Sequence, residues 1–138
     1  MRFLLPLLFS LSAAVSAAHA QDDSVFKDYA DYAAFVDQHV MTRDFVPLIL
    51  RLGGRDEYST EELNDNNTKL RRVWPRDFDQ VSVFRHEDLG GGISQEGRVY
   101  WTGTGYAFFY AMLHDRPDGF VVISFHLNSN SKKVMERF

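Results

Sequence analysis

The sequence predicts an α+β domain in which N-terminal helices pack on one face of a bent, four-stranded antiparallel sheet. Three observations predict it. Apolar residues recur at steps of three and four up to Pro75 and at steps of two beyond it. Helix caps fall in the first half of the chain, while turn residues punctuate the second. No internal repeat or low-complexity linker interrupts the chain, so helices followed by strands read as two layers around one core.

The first twenty residues have the build of a cleavable export signal. Arg2 supplies the positive start, Phe3 to Leu11 the apolar run, and Ala18-His19-Ala20 the small residues at the expected cleavage point. The run falls short of the roughly 20 apolar residues that a bilayer span needs. The expected mature chain is therefore a single domain over residues 21–138 with no membrane span. It is one unit more acidic than the full chain's −4, because Arg2 is lost.

The chain has no cysteine, so disulfides, thiolate metal sites and a lipoprotein anchor are excluded. Export without disulfides points to the periplasm, or to secretion from a bacterium. Lys69, Arg71, Arg72 and Arg76 sit in a net acidic chain without a basic stripe, which argues against nucleic acid as a partner.

Ser24 is placed to cap a first helix whose apolar positions are Phe26, Tyr29, Ala33, Val36 and Val40, with Asp28, Asp31 and Asp37 on a solvated flank. A second helix is expected from Asp44 to Leu52, with Pro47 in its first turn and Gly53-Gly54 as its stop. Ser59 and Glu62 form a capping box that opens a third helix, whose stripe is Leu63, Leu70, Val73 and Trp74, and Pro75 ends it. Asn66 and Asn67 interrupt that stripe. They either reach into a pocket or, more simply, are exposed on a weak helix.

Strands are expected near Gln80–Glu87, Gln95–Thr102, Gly105–His114 and Phe120–Asn128. Gly90-Gly91-Gly92 leads into a strand, not a helix, which makes it a hairpin loop and not a phosphate cradle. A two-residue turn at Gly103-Thr104 sets Trp101 against Tyr106 and Val99 against Phe108. Arg116-Pro117-Asp118-Gly119 suits a type I turn with a glycine bulge, which sets Arg116 against Phe120, His114 against Val122, Met112 against Ser124 and Tyr110 against His126.

This register puts Ala107, Phe109, Ala111, Leu113, Val121, Ile123, Phe125 and Leu127 under the helices. Trp101, Tyr106, Phe108, Tyr110, Met112, His114, Val122 and His126 then share the outer face. Four aromatic side chains together exceed the roughly 300–600 Å² apolar patch of an ordinary monomer. A homodimer is the expected cover, with a different protein partner or the C-terminal segment 129–138 as alternatives. His114 and His126 at such a seam would make assembly sensitive to pH, although a stacked cross-strand pair explains His126 and Tyr110 more simply. No third ligand completes a metal site with the two histidines, and no cofactor motif is present.

A leader, one long helix, two shorter helices and a bent antiparallel sheet resemble, by layout, the nuclear-transport-factor-two-like superfamily. A cystatin-like arrangement is the structural rival. The resemblance spans the mature chain and implies a cone with a pocket between helices and sheet, and dimerisation through the outer sheet surface in many members. It also implies that some members are isomerases or dehydratases. On the cone-facing side, Tyr29, Tyr32, Trp74 and Tyr100 are the candidate pocket residues, and no carboxylate joins them by periodicity. The expected function is thus an exported binding or scaffold domain for a protein partner or a small apolar ligand. The alternatives are a small-molecule isomerase or lyase, and an accessory or inhibitory factor for another envelope protein.

Overall fold

A computed structural model describes residues 23–138; the export signal expected over residues 1–20 lies outside them. The elements run β1 (Val25–Phe26), α1 (Tyr29–Met41), α2 (Phe45–Ile49), a π turn (Leu50–Gly54), α3 (Thr60–Val73), β2 (Gln80–Gly90), β3 (Ile93–Thr102), β4 (Gly105–Arg116), β5 (Gly119–Asn128) and α4 (Ser131–Met135). The class is α+β, and the sheet has five strands in the order β1-β5-β4-β3-β2, antiparallel throughout. Among the described residues no helix is long and apolar enough to cross a membrane.

The fifth strand comes from a stretch expected to be helical. Ser24 does not cap α1: its φ of 69° turns the chain, and its N–H donates to the Arg51 carbonyl. Val25 and Phe26 then pair with Val121 and Phe120 as a two-residue edge strand. Asp28 is the true cap, accepting from the Asp31 N–H at 2.8 Å. The guanidinium of Arg51 binds the Val25 carbonyl and lies 4.0 Å over the Phe26 ring, which ties this strand to the π turn.

The π turn itself depends on its glycines. Gly53 has a φ of 110°, and a Cβ at Gly54 would lie 2.5 Å from Ile49 Cγ2. The third helix forms where its residues dictate, although Val73 of its expected stripe is exposed and not buried. Ser59 and Glu62 make the reciprocal capping box, Leu63 and Trp74 are buried, and the chain turns extended at Trp74 before Pro75.

Pairing of β3 with β4 follows the Gly103-Thr104 turn, with Trp101 opposite Tyr106 and Val99 opposite Phe108. The β4–β5 hairpin differs at its tip. Arg116 pairs with Gly119 and not Phe120, which sets His114 against Val121 and Leu113 against Val122. A bulge at Ile123 absorbs the one-residue difference, so that Met112 still meets Ser124 and Tyr110 still meets His126. Phe120 and Val122 are consequently buried in place of Val121 and Ile123, and Ile123 is 49% exposed.

The core lies between α1, α2 and the inner sheet face. Tyr32, Val36, Val40, Phe45 and Leu48 meet Tyr100, Ala107, Phe109, Ala111 and Leu113 there. On the outer face α4 docks through Val134, which is completely buried. Phe138 stands edge-on to Tyr110 at 5.1 Å, and the Arg85 guanidinium lies 4.3 Å over the Phe138 ring. Gln95 fixes this clasp by donating to both Tyr110 Oη and the Arg137 carbonyl. Val134→Ala removes two buried methyl groups and should lower stability by about 1–3 kcal/mol, read as a lower urea midpoint at unchanged slope; an unchanged midpoint would show that α4 contributes nothing.

Candidate functional site

The strongest concentration of polar chemistry is inside the molecule. Alternation along β3 points Glu96, Arg98 and Tyr100 inward, opposite Ala111, Phe109 and Ala107. The two alanines leave room for long polar side chains beneath α1. Arg98 donates from Nε to Glu96 Oε2 at 2.9 Å, from Nη2 to Glu96 Oε1 at 3.1 Å, and from Nη1 to Asp37 Oδ1 at 2.9 Å. Tyr32 Oη donates to Glu96 Oε2 at 2.9 Å, Tyr29 Oη donates to Glu96 Oε1, and Tyr100 Oη donates to Asp37 Oδ1 at 2.7 Å.

Three of the four residues expected to line a pocket, Tyr29, Tyr32 and Tyr100, therefore converge on a carboxylate pair. The fourth does not: Trp74 packs against Phe45 and Phe78 and donates its Nε1–H to the Tyr106 carbonyl. Asp37 corrects the expectation of a solvated flank on α1. It directly follows Val36 and lies about one turn before Val40 on a helix that faces β3, and Arg98 and Tyr100 hold it there.

Burial raises the Tyr32 phenol well above its ordinary range, and the Glu96 charge adds to the effect. Burial likewise raises Tyr100, with Asp37 contributing. Tyr29 is pushed up to about 12 by burial and by its bond to Glu96. For Arg98, burial opposes the charged form, but Glu96, Tyr100 and Asp37 outweigh it and hold the guanidinium protonated. Glu96 is wholly buried, and both of its oxygens accept two bonds. A carboxylate so saturated has no lone pair aimed at a substrate, so Glu96 anchors the helix to β3.

A different region has the shape of a binding site. Between β5 on one side and α2, the π turn and α3 on the other lies a cleft of about 630 Å³. Leu48, Leu52, Leu70, Phe125 and Leu127 form its apolar wall. Glu57, Asn66, Lys69, Ser124 and His126 supply polar groups. Asn66 thus takes the first of its two readings and faces a pocket, while the neighbouring Asn67 Oδ1 is buried with no hydrogen-bond partner among the described residues. Burial lowers the His126 pKa, and the nearby charges of Arg137 and Lys133 add to this.

The outer-face residues divide into two groups. Tyr110 is buried beneath Phe138 and Gln95. Toward the Gly103 turn, Tyr106 stacks on Phe108 at 6.3 Å and remains 46% exposed, beside the half-buried Trp101. Met112 is half-buried, His114 Nε2 lies 3.2 Å from the Gly91 carbonyl, and His126 lies 3.4 Å from the Arg137 guanidinium, so the histidines face different neighbours. Phe84, at a bulge in β2, lies across Gly97, where a Cβ would come within 2.5 Å of its ring.

Glu96 and Arg98 are the site residues that the sequence reading missed, although a signal for them existed. The turn that pairs Trp101 with Tyr106 also pairs Tyr100, Arg98 and Glu96 with three inward-facing residues of β4. No protein-family model, curated protein or solved structure matches this chain.

The tyrosines give the cluster a signature at alkaline pH. Unfolded phenols titrate near pH 10, whereas folded Tyr32 and Tyr100 keep their protons to higher pH. Above pH 10 the unfolded chain holds fewer protons than the folded one, so stability present below that pH is lost as pH rises. Urea unfolding between pH 9 and about 11.5 should show a slope that approaches two protons from Tyr32 and Tyr100, roughly 2.7 kcal/mol per pH unit, and that Tyr29 steepens further. A flat profile would mean that these hydroxyls are not held as described.

Proposed function

We propose that this chain is an exported binding domain whose ligand occupies the cleft between β5 and the α2–α3 side. One observation carries the reading: the cleft of about 630 Å³ joins an apolar wall to a few polar groups, within the size and make-up of ordinary ligand sites. The buried, fully bonded Glu96 supports binding over an isomerase or lyase, because a catalytic base must face its substrate. Export rests on the leader pattern of residues 1–20. The packing of helices on one face of the sheet supports a pocket in this position. A homodimer through the outer face has less to bury than the strand pattern implied, since α4 and Phe138 cover Tyr110.

Titration with 8-anilinonaphthalene-1-sulfonate tests the reading on residues 21–138. Saturable binding of one probe per chain is expected, with a Kd on the order of tens of micromolar. Asn66→Trp, which places a ring in the cleft from the half-buried face of α3, should weaken it at least tenfold without lowering the urea midpoint. Absence of saturable binding, or binding indifferent to that substitution, would overturn the proposal.

A further inference from the structure

We infer that the cleft takes an extended polypeptide segment of a partner protein, which adds to β5 as a sixth strand; this rests on the binding reading above. The lining is the first reason. Six consecutive residues of β5, Val122 to Leu127, border the cleft. Alternate side chains of a strand point to opposite faces, so an unbroken run of lining residues means that the cleft opens on the strand's edge and not on its face.

That edge has room for a partner. β1 pairs only with Phe120 and Val121, and Val122 donates to the Ser24 carbonyl. From Ile123 to Asn128, β5 has no strand beyond it among the described residues. Those six residues span about 20 Å, and every second one of an edge strand directs its N–H and C=O outward. Lysine and proline, which commonly protect such edges, do not occur between Ile123 and Asn128. The first described residues leave this line, since Ser24 turns the chain and Arg55 holds the Asp23 carboxylate at 2.5 Å.

The occupant's chemistry follows from the two sides of the edge. Side chains pointing inward would meet Leu48, Leu52 and Leu70 beside Phe125 and Leu127. Those pointing outward would meet Ser124 and His126, with Arg137 3.4 Å from the His126 ring and the charge of Lys133, on α4, also near it. The complementary segment alternates apolar residues with polar or acidic ones. A second copy fits less well, because a two-fold contact between β5 edges would carry another α2 and α3 into the same cleft.

Selection of random eight-residue peptides displayed on phage against residues 21–138 tests this, with the best peptide made in two N-methylated forms, one for each alternate set of amides. The expected result is apolar residues at every second position, acidic or polar ones between, and at least tenfold weaker binding when one methylated set is used but not the other. Amide exchange should slow between Ile123 and Asn128 on binding, and Asn66→Trp should weaken the peptide. A peptide that binds equally in both methylated forms, or that protects other segments, overturns strand addition. So does a selection that yields no peptide, and so does a doubled solution mass with this edge protected in the absence of peptide. In each of these cases saturable, Asn66-dependent binding of anilinonaphthalene sulfonate would leave the binding reading standing; loss of that as well would remove both.

Discussion

A guanidinium and a carboxylate taken out of water each cost several kcal/mol, and only close pairing with complete hydrogen bonding offsets that cost. Arg98 and Glu96 meet this condition beneath α1. Arg98 has a side-chain exposure of 4% and Glu96 of 0%, and together they engage Tyr29, Tyr32 and Asp37, all on α1. The long helix is therefore held to β3 by directional bonds as well as by the apolar contacts of Val36 and Val40. Directional bonds fix the helix in one rotation about its axis, which apolar contacts alone specify less sharply. With α1 so placed, β1 is positioned to join β5, and α2 and the π turn close the far wall of the cleft.

The division of labour between the two polar regions follows from solvent. Both oxygens of Glu96 are matched within the protein, which suits an anchor. Around the cleft the polar groups are spaced along an apolar wall, and Asn67 keeps an unmatched acceptor nearby. The clasp of α4 settles a separate demand. By covering Tyr110 with Phe138 and Gln95, the chain shields the middle of an aromatic sheet face that would otherwise meet water.

The architecture was largely legible in the residues, because period and turn chemistry are local. The capping box at Ser59, the stop at Pro75 and the Gly103-Thr104 turn each act within a few residues, and each forms as its sequence dictates. The failures are those where a tertiary contact overrides a local preference. Val25 and Phe26 carry helical spacing but are drawn into the sheet by β5 and Arg51. The Pro117-Asp118 turn closes one residue tighter than its type I chemistry suggests, and the one-residue offset is taken up at Ile123, where no composition signal marks a bulge. Asp37 reads as a surface acid until Arg98, 61 positions away, is brought beneath it. The cleft lies between elements distant in sequence, so periodicity within any one of them does not reveal it.

The dependence of the fold on the Arg98–Glu96 pair is best measured by a double-mutant cycle of Arg98→Met and Glu96→Gln, followed by urea unfolding at neutral pH. Arg98→Met leaves a buried carboxylate without its counter-charge and should cost about 3–5 kcal/mol. The double variant should lose clearly less than the sum of the single losses, with a coupling of about 2 kcal/mol or more. Additive losses, or an Arg98→Met protein within about 0.5 kcal/mol of the wild type, would contradict the account.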